Sequence, residues 1–133
     1  MPVGLLIITH AHVGRELLET AVQMLGLCPL RTGRLDVPMD ADTDALRARA
    51  RSLCAELDAG DGVLVLTDLY GSTPCNIALE LMDKARVQVV AGVNLPMLVR
   101  VLNYPTLDLW ALTTKAVTGG HDGIVICEEV ARG

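Results

Sequence analysis

Two continuous apolar runs, Leu5-Leu6-Ile7-Ile8 and Val63-Leu64-Val65-Leu66, each close on a threonine and then a titratable residue: Thr9-His10 and Thr67-Asp68. Short runs without polar alternation, rich in β-branched residues, predict strands buried on both faces of a parallel sheet. A core strand has no use for a polar end, and ligands of such sheets bind beyond the carboxyl ends of the strands. His10 and Asp68 therefore stand where chemistry is expected. Between and after these runs the period changes to that of helices. Leu17, Leu18, Ala21, Val22 and Leu25 fall on one face of a helix over 14–25, which Gly26 ends. Leu35 to Val37 predicts a short strand. Asp40 to Asp44 supplies caps and acidic charge for a helix reaching about Leu57.

Residues 58–61 form a turn, and the third strand runs from about Gly62 to Thr67. Gly71-Ser72-Thr73-Pro74 then opens a helix expected to reach about Lys84, with a hydroxyl cap and a proline near the first helical position. Val87 to Ala91 is a fourth strand, and Asn94-Leu95-Pro96 leads into a short helix ending near Asn103. Another helix is expected from Pro105-Thr106 to about Thr118, broken by Gly119-Gly120, with a last strand over Gly123 to Cys127. Alternating strands and helices predict an α/β fold: an open, doubly wound, mainly parallel sheet flanked by helices. The C-terminal strand is expected at an edge, antiparallel or exchanged between subunits.

Length and composition narrow the function. At 133 residues, one domain spanning 1–133 is expected, with 51% apolar residues that are almost all aliphatic. Phe is absent, and only Trp110, Tyr70 and Tyr104 are aromatic, too few for base-stacking platforms. A net charge of −5 repels phosphate backbones, so nucleic acid is not an expected partner. Cys28, Cys54, Cys75 and Cys127 are widely spaced and predict free, mostly buried thiols of a cytoplasmic protein. Neither a secretion signal nor a membrane-inserted segment is expected.

An uncharged imidazole has a nucleophilic ring nitrogen and can accept a group and later release it. For that task one nitrogen must face the incoming group while the other donates to a fixed acceptor, the role Asp68 would fill for His10. The plain alternative is that His10 merely ends a strand and Asp68 begins a turn. Gly71, Ser72 and Thr73 supply backbone N–H groups and hydroxyls suited to a phosphoryl group, and also suited to an ordinary cap. Position favours the first use, because the cap follows Asp68 by four residues on the sheet end that carries His10. His12 stands two residues past His10, a spacing seen in some metal sites, but the Cys and acid partners of a recognisable site are missing, and His121 stands beside Asp122 in a glycine-rich corner, so no metal is expected. His12 is placed with Thr9 and Tyr70 on the rim, and His121 in a solvated turn.

These segments resemble the IIA domain of the mannose-type sugar phosphotransferase system. The resemblance rests on Leu5–His10, on Val63–Asn76 with its Thr67-Asp68 and Gly71-Ser72-Thr73-Pro74, and on the run Val89 to Leu98 containing Gly92-Val93-Asn94-Leu95-Pro96-Met97. Residues 116–123 are similar to the tail of the family as well. The resemblance implies a cytoplasmic homodimer that takes a phosphoryl group from the phosphocarrier protein HPr onto His10, oriented by Asp68. It implies onward transfer to a IIB component and no cofactor. His12 and Tyr70 depart from the expected pattern at the rim. No segment resembles a IIB domain, so the expectation is a free-standing IIA that feeds a separate IIB protein and permease, or serves as a regulator.

Rival readings are weaker. The phosphodonor subunit of a dihydroxyacetone kinase differs in the turn after the third strand. A receiver-like domain with Asp68 as acceptor needs acids at the end of the first strand to hold magnesium, where Thr9-His10 stand instead. A hydrolase built on Ser72 lacks the G-x-S-x-G elbow. A non-catalytic, phosphorylation-dependent binding module remains the main alternative.

Overall fold

A computed structural model describes residues 2–128. The strands are β1 (Gly4–His10), β2 (Thr32–Val37), β3 (Val63–Thr67) and β4 (Val87–Ala91), and the helices are α1 (Val13–Leu25), α2 (Thr43–Leu57), α3 (Thr73–Leu79), α4 (Leu95–Leu102) and α5 (Leu109–Asp122). The strands form one sheet in the order β2-β1-β3-β4, with every pair parallel. The two polar-ended runs are its central strands, which explains their unbroken apolar character: both faces are covered.

Side chains alternate between two layers. Leu5, Ile7, Leu64, Leu66 and Val90 pack with Leu18 and Ala21 of α1, Leu98 and Val101 of α4, and Leu112 and Ala116 of α5. Leu6, Ile8, Val63 and Val65 face the other way, against Leu53, Cys54 and Leu57 of α2 and Ile77 and Ala78 of α3. Leu5 through Ile8 have no exposed surface, and each such side chain contributes roughly 1.5–3 kcal/mol on burial.

Four expectations change. β2 begins at Thr32 rather than Leu35, pairing Leu5 with Thr32 at its start. α3 stops at Leu79, not near Lys84, because Asp83 closes a tight turn: its N–H donates to Val87 O, and Val87 and Arg86 N–H donate back to Asp83 O. α5 starts at Leu109, where Asp108 accepts the Ala111 N–H at 2.9 Å, and not at Pro105-Thr106.

The fourth change is at the C-terminal end. α5 runs through Gly119-Gly120 to Asp122, because these glycines are contact positions and not breakers. A Cβ at Gly119 would lie 2.5 Å from Arg100 Cβ, and one at Gly120 would lie 2.9 Å from Met97 Cε. α4 and α5 approach this closely only without those methyl groups. With the helix extended, residues 124–128 form no strand within this chain, and Ile124, Val125 and Ile126 are exposed. Among the described residues the segment thus forms no antiparallel edge strand within this chain, one of the two placements expected from the sequence, the other being exchange with a second subunit. The two exposed cysteines are Cys28 and Cys127; Cys54 and Cys75 are buried.

Candidate functional site

Parallel register sets Ile8 opposite Thr67, so His10 and Asp68 emerge side by side from β1 and β3. One carboxylate oxygen of Asp68, Oδ2, accepts the His10 backbone N–H at 3.1 Å and lies 2.9 Å from His10 Nδ1. The other, Oδ1, accepts the Leu69 N–H at 3.0 Å. The side chains are 36% and 16% exposed respectively, so the carboxylate is the more sheltered partner. Burial pushes the Asp68 carboxyl up, but the hydrogen bonds from the His10 ring and backbone, and the charge His10 can carry, outweigh it and hold it below its ordinary value. An ionised Asp68 has no proton to give, so Nδ1 is the donor and the ring's free lone pair is on Nε2.

The turn after His10 is tightly specified. Thr9 was expected at the rim, but it is fully buried: its position on β1 faces α1, and its hydroxyl oxygen accepts the Gly14 N–H at 2.7 Å. Ala11 takes φ = 43°, a left-handed conformation unusual for alanine, and its N–H donates to Val37 O at 2.9 Å. His12 caps the start of α1 with its backbone, is exposed, and places Nδ1 3.2 Å from Asp36 Oδ2 of β2. Asp36 escaped the sequence reading, although Leu35-Asp36-Val37 carries the apolar–polar–apolar signal that turns it away from the α2 layer.

His10 lines an open cleft of about 170 Å³ with Val37, Pro38, Met39, Ala41, Thr43 and Thr73. Thr73, at the start of α3, supplies one wall, and the loop from β3 leads into it. Gly71 at φ = 83° is exposed and turns the chain. The Ser72 hydroxyl donates to Leu69 O at 2.6 Å and accepts the Cys75 N–H at 3.5 Å, so it is a working helix cap. Of the three residues expected to meet a phosphoryl group, Thr73 is the one that lines the His10 cleft. Tyr70 projects from this loop and is 78% exposed. His121 is in the last turn of α5, not a loop, and borders a separate cleft with Val90, Met97 and Ile124. Among the described residues no group of three or more His, Cys, Asp or Glu is placed to hold a metal ion, and no helix is long and apolar enough to cross a membrane.

A sheet-end imidazole backed by a carboxylate and facing an open cleft suits the carriage of a small electrophilic group. Comparison with known proteins agrees with that class. A family model described as "PTS system fructose IIA component" matches residues 4–108, and the chain belongs to this family of phosphotransferase-system IIA components. It is similar to the mannose-specific EIIAB component of Escherichia coli strain K12, at 34% identity over 129 residues, covering 93% of this chain and 39% of that protein. It thus spans about two fifths of that relative's length. The sorbose-specific EIIA component of Lacticaseibacillus casei is 29% identical over 101 residues, covering 73% of this chain and 70% of that protein. A mannose/sorbose specific IIA subunit from Enterococcus faecalis shares the fold over the whole of both chains, with a TM-score of 0.86 at 24% identity.

Proposed function

We propose that the protein, one IIA unit over its 133 residues, is a cytoplasmic carrier that takes a phosphoryl group from phospho-HPr onto Nε2 of His10. It then passes the group to a IIB protein, and through it to a sugar permease, or holds it as a regulatory signal. The observation that carries this reading is the 2.9 Å contact between His10 Nδ1 and Asp68, which leaves Nε2 as the free nucleophile.

In the proposed step the Nε2 lone pair attacks phosphorus. The N–P bond of the donor breaks, and its electron pair stays on the donor's nitrogen. The His10 ring becomes positive, keeps its Nδ1 proton, and is stabilised by the Asp68 carboxylate. Such transfers need little beyond alignment and charge stabilisation. Thr73 supports the reading as a hydroxyl-bearing residue that lines the cleft, while Ser72 and Gly71 shape the loop before it. Exposed Tyr70 suits the surface on which partner proteins dock, and Thr9 acts from below by fixing the start of α1. A homodimer belongs to the same proposal. Exposed Ile124 to Ile126 lie beyond α5, and Ile124 borders a cleft with Val90, Ala91 and Gly92 at the end of β4. β4 ladders with β3 alone among the described strands, so a second copy has an edge to extend.

The test is phosphate incorporation from phosphoenolpyruvate, enzyme I and HPr, read by intact mass and phosphorus NMR. One acid-labile phosphate is expected in the wild type and none in His10→Ala. Equal incorporation in His10→Ala would move the acceptor elsewhere, and no incorporation in the folded wild type would leave the binding-module reading.

A further inference from the structure

Two histidine–carboxylate pairs flank the end of β1. Asp68, from the β3 side, holds His10; Asp36, from the β2 side, holds His12 at 3.2 Å. Between the histidines stands Ala11, the one non-glycine residue at positive φ among the described residues. We infer that His12 is a positioning residue for His10: its bond to Asp36 latches the Ala11 turn in the left-handed conformation that brings the His10 ring and N–H onto Asp68. This deepens the carrier reading and rests on it for its effect on phosphoryl transfer.

Upstream, the His10 N–H and ring converge on Asp68 Oδ2. Downstream, α1 is anchored by Gly14 N–H to Thr9 Oγ1 at 2.7 Å and by Glu16 N–H to His12 O at 3.0 Å. The chain between His10 and His12 joins these two fixed ends through φ = 43° at Ala11. Alanine resists that conformation because its Cβ crowds the backbone, and relaxing it would swing His10 away from Asp68. β2 opposes the relaxation at two adjacent residues. Val37 O takes the Ala11 N–H at 2.9 Å, and Asp36 takes His12. Register sets Thr9 opposite Asp36 and His10 opposite Val37, so both ties come from the end of the strand beside the turn. Asp36 Oδ2 also lies 3.9 Å from Arg34 Nε, while its Oδ1 is buried without a partner, so His12 is the hydrogen-bonding side chain nearest this carboxylate. The strain of one left-handed alanine and the strength of one hydrogen bond are of the same order, so the latch is strong enough to matter and weak enough to be rescued.

The experiment compares wild type, His12→Ala, His12→Asn and the double variant His12→Ala/Ala11→Gly. Single-turnover phosphorylation by phospho-HPr is read alongside the imidazole nitrogen NMR spectrum of the unphosphorylated protein. His12→Ala should slow phosphorylation by about threefold to tenfold, the change one hydrogen bond supports. Its His10 nitrogens should shift from a fixed Nδ1–H tautomer toward a mixture. His12→Asn, whose amide N–H can take the place of Nδ1, should stay near the wild-type rate. Ala11→Gly in the double variant should restore both rate and spectrum, because glycine adopts the turn without strain.

A wild-type rate and spectrum in His12→Ala would overturn the inference. So would a slowed His12→Ala whose His10 nitrogens are unchanged, which would mean direct contact with the donor, or a double variant that is not rescued. If the wild type takes no phosphate, the carrier reading fails while the nitrogen spectra still decide whether the latch exists.

Discussion

Two aspartates flank β3, Asp58 at the C-cap of α2 on the approach to the strand and Asp68 directly after it, and they do opposite things. Before the strand, Asp58 accepts the N–H groups of Gly60 and Gly62 at 2.9 and 3.1 Å and closes on the Arg86 guanidinium, which also donates to Gly60 O. After it, Asp68 accepts the N–H groups of His10 and Leu69 and closes on the His10 ring. Both carboxyls sit below their ordinary value. For Asp58 the Arg86 hydrogen bond is the main cause; for Asp68, hydrogen bonding overcomes an opposing effect of burial. The contrast lies in the partner. A guanidinium stays charged and spends its donors on Asp58 and Gly60, leaving a staple. An imidazole spends one nitrogen and keeps the other. The same carboxylate motif is structural or chemical according to what the partner has left over.

The change expected to break this contrast most severely is Asp68→Asn. An amide N–H aimed at Nδ1 favours the tautomer protonated on Nε2, and the rate of phosphorylation by phospho-HPr should fall by on the order of 10²–10⁴. A wild-type single-turnover rate would end the orienting role of Asp68. The opposite end is broken by Gly62→Ala. Gly62 has φ = 86°, and a Cβ there would lie 2.6 Å from Arg86 O. Urea unfolding should show a loss of about 1–3 kcal/mol, with phosphorylation of the folded protein unchanged.

The smallest effect compares the two ends directly. Because both carboxyls are depressed when folded, each contributes stability that is complete above the ordinary value of 3.8 and is lost as pH falls through the folded value. Asp58→Asn and Asp68→Asn should each flatten the decline of unfolding free energy on acidification from about pH 5, the reverse sign from a residue whose pKa is raised. An unflattened curve for either variant would remove that residue from the acid response.

The sheet and the His10–Asp68 meeting were legible because parallel strands deliver their carboxyl ends to one edge, and an apolar run shows where a strand stops. Details set by distant contacts were not legible. Gly119-Gly120 has the local signature of a helix end, and only Arg100 and Met97 across the interface reveal it as a seam. Ser72 looks the same in sequence whether its hydroxyl meets a ligand or Leu69 O. Thr9 adjoins His10 in sequence and reads as a rim residue, yet alternation along β1 turns it inward beneath α1. The partner of His12 was not legible: Leu35-Asp36-Val37 predicts a strand, but that this strand lies next to β1, with Asp36 opposite Thr9, is set by the order and register of the sheet.

The Nδ1 tether on His10 also has a consequence for timing. In the proposed carrier, arrival and departure of the phosphoryl group must both use Nε2, and both must occur through the same cleft. Donor and recipient proteins therefore compete for one berth and cannot occupy it together. Traffic through the protein alternates, and an excess of unphosphorylated HPr should delay delivery by queueing rather than by altering the chemistry.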